Sequence, residues 1–376
     1  MVIMALDHVR DYFHYDSFHF DPTDLEKTTP AIFFTRWITH YCAPVFVFLA
    51  GTSAYMVCQK KNTKATAAFL FKRGIWLLIL EVTLVSLGWS FNIHLTPFLQ
   101  VIWAIGGSMV LLSLLIFLPK KVLFLLGLVI VVGHNALDYI EPVEGTIFGS
   151  FWKTVHEGGP LQFPFGIEFF VFYPLLPWTG IMLLGFVFGR LYQNDISVKK
   201  RKKILLSLGS AALLVFAVLR YSNLYGDPND WAAQPNGVYT FLSFLNVDKY
   251  PPSLLYALMT LGPAMIFLGL AEQFQGKLAT VMVNFGRVPL FYYLAHLYLI
   301  HSLAILNVAL FYPEMSPSVL FISDWDKYIA GMQHYGFSLG GTYLVWLLVV
   351  VLLYYPCKKY AAYKAAHPEK WWLSYM

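Results

Sequence analysis

The chain carries ten apolar runs, nearly all of them long enough to cross a lipid bilayer as an α-helix. A hydrocarbon core of about 30 Å needs roughly 20 helical residues. The composition agrees, because 58% of the residues are hydrophobic, only 12% are charged and the mean hydropathy is +0.60. The runs cover residues 1–13, 35–57, 74–91, 97–118, 121–139, 168–191, 203–221, 253–272, 284–311 and 338–355.

These runs predict an all-α, polytopic membrane helix bundle with about ten transmembrane helices. Backbone N–H and C=O groups in lipid must be satisfied internally, and the runs are too long and too uniformly apolar for barrel strands. We expect a single transmembrane domain over residues 1–376. The longest connections are rich in Pro, Asp, Asn and aromatic residues and predict an ordered lid on the outer side; they are residues 14–34, 140–167, 222–252 and 312–337.

Loop charges predict the orientation of the chain. Lys and Arg collect in cytoplasmic loops, and most of the 26 Lys and Arg residues fall in alternate connections. We therefore expect both termini in the cytoplasm. The net charge of +5 is explained by this topology signal and gives no reason to expect a nucleic-acid partner.

The first run, residues 1–13, is too short to span a membrane and reaches Asp11 before it could do so. It is not a signal peptide, because it lacks a basic n-region and carries charges where the apolar core should be. We expect that the first helix is truncated and that the true start of the chain is missing.

Four ionisable side chains nevertheless lie within this first run. An ionisable group near the bilayer centre costs roughly 2.5 to 3.5 kcal/mol on insertion scales, so several together indicate a polar site. On a helix, Asp7, His8 and Asp11 project onto one broad face, whereas Arg10 points elsewhere. His40 enters the second run at a compatible depth.

A histidine with adjacent carboxylates is the arrangement that general-base catalysis requires. The carboxylate fixes the tautomer of the imidazole and stabilises the imidazolium. Structural polar packing of the same residues is the alternative. Metal binding by His8, Asp11 and His40 fits their residue types, but no tight ligand spacing points to it, and we predict no metal.

Other ionisable residues give weaker signals. His134 and Asp138 are four apart and share a helix face, which fits structural packing or proton handling. Arg73, Glu81 and Arg287 are candidates for receiving an anionic ligand from the cytoplasm, because the Arg fork binds phosphate groups bidentately. Anchoring at the positive inner surface is the alternative for both arginines.

Three motifs resemble a bacterial membrane family. They are Met4–Phe13 (MALDHVRDYF), Thr39–Gly51 (THYCAPVFVFLAG) and Gly286–His296 (GRVPLFYYLAH). The family is the DUF1624 group, which is related to the catalytic domain of heparan-alpha-glucosaminide N-acetyltransferase within a wider set of transmembrane acyltransferases. Its members usually have an Arg-Gly segment before the first motif, and this chain lacks it.

The resemblance implies an enzyme of the bacterial cytoplasmic (inner) membrane that moves an acetyl group from cytosolic acetyl-CoA to an extracytoplasmic sugar amine or hydroxyl. Acetyl-CoA is then a co-substrate, with no tightly bound cofactor, and the partners are a sugar or glycan acceptor and the lipid bilayer. In the heparan enzyme the active-site histidine follows the first helix, and the same offset lands here on His19.

We therefore predict an integral-membrane acetyltransferase with His8 or His40 as the base. Asp7 and Asp11 would orient that base or balance its charge. A proton-coupled transporter or flippase of a small polar or glycan-linked solute is the alternative, and a catalytically silent scaffold is a third. A homodimer is compatible with the sequence. The candidate substrate-binding residues are His19, Tyr293, His296, Arg73, Glu81 and Arg287.

Overall fold

The apolar runs fold as α-helices in a computed structural model, which describes residues 1–93, 96–163 and 167–375. Among these residues, seven helical stretches are long and apolar enough to cross a membrane. The predicted all-α, multi-pass membrane bundle is confirmed. The seven stretches are Pro30–Lys60, Lys120–Leu137, Leu175–Tyr192, Val198–Ser222, Leu254–Ala271, Pro289–Phe311 and Leu339–Ala366.

The α-helices are labelled in chain order. Several of them continue into a short 3₁₀ or π turn, so one span can contain more than one label. They are α1 (Val2–Phe13), α2 (Pro30–Thr39), α3 (Cys42–Lys60), α4 (Thr63–Leu80), α5 (Ser86–Ser90), α6 (Val101–Leu115), α7 (Lys120–Gly133), α8 (Ile147–Trp152), α9 (Leu175–Phe188), α10 (Val198–Ser222), α11 (Gly237–Leu245), α12 (Leu254–Ala271), α13 (Lys277–Gly286), α14 (Pro289–Phe311), α15 (Trp325–Gly331) and α16 (Leu339–Ala366).

Three of the ten predicted runs, 1–13, 74–91 and 97–118, are helical but are not among the seven clear spans. The first is the short helix α1, and the third is the apolar but short helix α6. The second begins earlier than predicted, because α4 starts after the cap residue Asn62, and it passes through a π turn at Glu81–Val85 before α5.

The chain divides into two compact units. Unit 1 holds α1, α2, α5 and α13 to α16, and unit 2 holds α4, α6 to α12 and α3 apart from its first residue. Within unit 1, α1 packs against α2, α14 and α16. Within unit 2, α10 packs against α12, α4 against α6, and α9 against both α6 and α7.

Glycines allow the closest of these helix contacts. A Cβ at Gly51 of α3 would lie 2.2 Å from the carbonyl oxygen of Met182, and a Cβ at Gly185 of α9 would lie 2.1 Å from that of Phe48. Small residues let helix backbones approach closely in membrane proteins, where lipid is as apolar as the side chains. The glycines therefore fix the contact between α3 and α9.

A small sheet in unit 2 is the main departure from the predicted helices. Strand β1 (Phe98–Leu99) pairs in parallel with β3 (Ile167–Val171), and β2 (Gly159–Phe163) pairs with β3 in antiparallel fashion. The prediction of a helix from residue 168 is wrong over the strand, because its aromatic and β-branched residues pair with β1 and β2, and the helix begins at Leu175. Residues 164–166 of the predicted connection 140–167 lie outside the described residues.

The predicted run 284–311 is also interrupted, because α13 ends at Gly286 and α14 starts at Pro289. Proline has no N–H for an intrahelical bond and suits the first helical position. The break leaves Arg287 as the residue that follows α13. Three of the long connections contain the short helices α8, α11 and α15. The lid predicted for these connections stays a prediction.

Candidate active site

Two histidines of unit 1 meet directly. Nδ1 of His8 on α1 lies 2.7 Å from Nε2 of His296 on α14, and the two rings stack with centroids 4.8 Å apart. His296 is fully buried, whereas His8 is half-buried. The residues are 288 positions apart in the sequence, so the packing of α1 against α14 brings them together.

The hydrogen bonds assign the tautomers of this pair. Nδ1 of His296 lies 3.0 Å from the carbonyl oxygen of Tyr292, and because a carbonyl only accepts, Nδ1 must carry the hydrogen. Nε2 of a neutral His296 then accepts, so His8 donates from Nδ1. A neutral His8 therefore has its basic lone pair on Nε2.

Aromatic rings surround the His8 imidazole. The Trp89 ring meets it edge-on with centroids 4.8 Å apart, and the Tyr293 ring does so at 6.3 Å. Tyr12, one turn further along α1, stacks on Trp89 and donates its hydroxyl hydrogen to the Trp89 carbonyl. Apolar walls of this kind strengthen the electrostatic interactions of the polar groups that they enclose.

His301 closes the same cluster one turn and a half beyond His296. Its Nε2 lies 2.6 Å from the carbonyl oxygen of Leu320, and its ring stacks on Phe91 with centroids 4.0 Å apart. Nδ1 lies 3.3 Å from the Tyr12 hydroxyl. His301 thereby holds the connection after α14 against the residues that follow α5.

The two carboxylates of α1 contact arginines. Nη1 of Arg36 on α2 lies 2.8 and 2.6 Å from the two oxygens of Asp7. Nη2 of Arg10 lies 3.1 Å from Asp7 and 2.6 Å from Asp11. The expectation that Arg10 points away from this face is wrong, because its long side chain contacts Asp7 one turn earlier and the adjacent Asp11.

The other predicted histidines, His40 and His19, also lie in unit 1. His40 is buried at the junction where α2 ends and α3 is about to begin. His19 is exposed at the end of the 3₁₀ turn Tyr15–Phe18, and its backbone N–H donates to Asp16. The roles proposed for both residues stay predictions.

Glu81 caps a helix. Its buried carboxylate accepts hydrogen bonds from the backbone N–H groups of Gln100 at 3.0 Å and Trp103 at 2.9 Å, at the start of α6. This gives the lone buried carboxylate the partner that it needs. Arg73 lies with Glu81 in unit 2, whereas Arg287 lies in unit 1, and binding of an anionic ligand by these three stays a prediction.

The pair His134 and Asp138 gains a third member. Nε2 of His156, from the connection after α8, donates to Asp138 at 2.9 Å, and Nε2 of His134 donates to the Pro252 carbonyl at 2.9 Å. Burial opposes ionisation of Asp138, but hydrogen bonds from His156 and Asn135 outweigh it and lower the pKa of the carboxyl.

Among the described residues, no group of three or more His, Cys, Asp or Glu has the arrangement of a metal site.

Sequence reasoning placed His301 in the same outer half of the membrane as the predicted site but gave it no role, and it did not single out Arg36 or His156. Arg36 carried a usable signal, because it is the only Lys or Arg in the predicted run 35–57 and buried carboxylates need a cation. His156 lies in a connection and gave no signal of its own.

The fold and the site together define a multi-pass helical membrane protein with a hydrogen-bonded histidine pair between two helices of one unit. Residues 1–220 match the family model described as "Heparan-alpha-glucosaminide N-acetyltransferase, catalytic". The match covers more than half of the 376 residues, and the chain belongs to this family. No curated protein and no solved structure gives a significant match. The resemblance drawn from the sequence motifs is confirmed.

Proposed function

We propose that this protein is a membrane acetyltransferase that moves an acetyl group from acetyl-CoA to a sugar amine or hydroxyl. Membership of the family supports the reaction class. The observation that carries the proposal at the level of residues is the hydrogen bond from Nδ1 of His8 to Nε2 of His296. It presents Nε2 of a half-buried imidazole as a base in an aromatic environment.

His8 acts as the general base in the proposed reaction. The acceptor nitrogen or oxygen attacks the thioester carbonyl, a C–N or C–O bond forms, and the C–S bond to coenzyme A breaks. The acceptor proton passes to Nε2 of His8 and from there to the leaving thiolate, so the charge balances. A positioned base of this kind contributes about 10² to 10⁴ in rate.

His296 orients the base. In the best-known triads a carboxylate holds the imidazole, whereas here the acceptor is a neutral imidazole that is itself fixed by the Tyr292 carbonyl. A neutral acceptor keeps the His8 ring in place but stabilises an imidazolium less than a carboxylate would. The Asp7 and Asp11 carboxylates pair with Arg10 and Arg36. Their predicted role of orienting the base or balancing its charge stays a prediction.

The decisive experiment uses the purified chain in phosphatidylcholine liposomes with ¹⁴C-acetyl-CoA and excess glucosamine. Wild type should transfer label to the amine, and His8→Ala should lower the rate by about 100-fold or more. His367→Ala is the matched control, because His367 follows α16 and its side chain is partly exposed, paired with Glu369. Full activity of a folded His8→Ala protein would show that His8 is not the base; His40→Ala is then the next variant to assay.

A proton-coupled carrier is the second candidate function, because two directly hydrogen-bonded imidazoles in the helical core can also pass a proton. The liposome assay separates the two. A carrier moves solute into the lumen without acetylating it and responds to an imposed pH gradient, whereas an enzyme labels the acceptor in the absence of any gradient.

The loop charges support an orientation with both termini on the cytoplasmic side of the membrane. We place the protein in a bacterial inner membrane, where acetyl-CoA would approach from the cytoplasm. Reporter fusions test it. An alkaline phosphatase fused after residue 376 should stay inactive in the cytoplasm, and the same reporter inserted at Asp230 should be active outside.

A further inference from the structure

The connection that follows α7 exposes an unusual amount of apolar surface. Tyr139 is 90% exposed and Ile147 is 92% exposed, and Val143, Phe148 and Phe151 are each more than half exposed. Soluble proteins seldom present contiguous apolar patches of this kind unless something covers them.

This segment is ordered and has two distinct faces. Gly149 and Trp152 of α8 are buried, as is His156 in the π turn Lys153–Glu157. The inner face is tied down by the hydrogen bond from His156 to Asp138. The apolar residues therefore form the outward face of a folded element.

The outward face continues the lipid-facing stripe of α7. Leu125, Val129 and Val132 are exposed on α7 at intervals of four and three residues, which places them on one side of the helix. Tyr139 follows seven residues after Val132, where the chain leaves the helix. The lipid-facing surface of a candidate span thus runs directly into the exposed apolar segment.

We propose that residues 139–151 form an interfacial anchor, which lies in the lipid interface at the membrane surface where α7 ends. Phe and Tyr side chains favour this depth, because it offers apolar contact beside water. The inference does not depend on the acetyltransferase activity.

The charges of the segment indicate the kind of lipid. Residues 139–151 contain two glutamates, Glu141 and Glu144, and no Lys or Arg. Glu144 pairs at 2.9 Å with Lys153, which lies just beyond the segment. A segment with this excess of acid gains nothing from anionic headgroups. The partner is therefore the apolar part of a zwitterionic lipid interface, and binding should not depend on salt.

Photo-crosslinking tests the proposal in the full chain. p-Benzoylphenylalanine replaces Ile147 or, as a second site, Phe148, and the protein is irradiated in phosphatidylcholine liposomes. Val129 on α7 is the lipid-facing control, and the exposed residue Asp230 is the aqueous control. Adducts are identified by mass spectrometry.

The yield of lipid adducts at Ile147 and Phe148 should be close to the yield at Val129 and about tenfold higher than the yield at Asp230. Both comparisons should hold in low and high salt. Two results would overturn the proposal. One is a lipid yield at both sites as low as at Asp230. The other is crosslinking chiefly to a second copy of the chain, which would assign the face to a dimer.

Discussion

His8 and His296 form a hydrogen bond of 2.7 Å between α1 and α14, with His296 anchored in turn on the carbonyl of Tyr292. His8 donates to His296, and His296 donates to the Tyr292 carbonyl. The acceptor that holds the His8 ring is therefore a neutral imidazole. The His296 contact therefore fixes the orientation of the His8 ring without adding a negative charge beside it.

Replacing His296 separates these two effects. His296→Asn keeps an acceptor for the Nδ1 hydrogen of His8, whereas His296→Leu removes it, so Asn should retain several-fold more transferase activity than Leu. The measurement is kcat in liposomes, with thermal unfolding as a check on folding. Equal loss in both variants would mean that His296 does more than accept this hydrogen bond.

Arg36 should matter for stability. It pairs with Asp7, and both side chains are only 12% exposed. Removing Arg36 takes two charged hydrogen bonds from Asp7 and leaves Arg10 as its cationic partner, so Arg36→Leu should destabilise the protein by about 2 kcal/mol. The exposed pair of Arg190 and Asp195 is the control, because solvent screens this pair and Arg190→Leu should destabilise the protein much less. Similar unfolding of the two variants in detergent would contradict the assignment.

Glu81→Ala should loosen the start of α6. The substitution leaves the N–H groups of Gln100 and Trp103 without the buried carboxylate that now accepts from them, at a cost of about 1 to 3 kcal/mol. Hydrogen exchange at those two amides should rise. Glu314→Ala, at an exposed position, serves as the control, and unchanged exchange in Glu81→Ala would count against the cap.

Replacing the glycines at the contact of α3 and α9 with larger residues should destabilise the protein. Gly51→Ala or Gly185→Ala would place a methyl group about 2 Å from a carbonyl oxygen of the facing helix, so each should lower the yield of folded protein sharply. Gly133→Ala, at the end of α7, meets no atom within 4 Å and should be tolerated. Thermal unfolding in detergent compares the three, and a stable Gly185→Ala protein would exclude this packing.

Asp248 predicts a pH dependence of stability. Burial raises the pKa of its carboxyl to about 6, and the neighbouring Asp227 carboxylate adds to the shift. An aspartate in the unfolded chain has a pKa of about 3.9, so the folded state binds the proton of the Asp248 carboxyl more tightly than the unfolded state does. This contribution to stability is present below about pH 4 and is lost as the pH rises through 6.

The variant Asp248→Asn cannot titrate, so its unfolding temperature should vary less between pH 4 and 7 than that of wild type. Asp230→Asn, at an exposed position in the same connection, is the matched control for the loss of one carboxylate. Identical profiles for wild type and Asp248→Asn would refute the linkage.

The candidate site was only partly predictable. The spacing of Asp7, His8 and Asp11 placed a polar face on α1, because three- and four-residue intervals fix a helix face without knowledge of the fold. The partner of His8 was not predictable in this way. His296 was expected as a pocket group, and only the packing of α1 against α14 made it a hydrogen-bond partner.

The sequence by itself determined that the chain is a helical membrane protein. Every backbone polar group in lipid must be satisfied within its own segment, and this requirement is local, so apolar runs such as the one in α12 are readable one at a time. The tertiary structure decided which charges pair and where a strand replaces a helix. Arg36 with Asp7 and the pairing of β3 with β1 join segments far apart in the chain, and such contacts depend on which elements become neighbours.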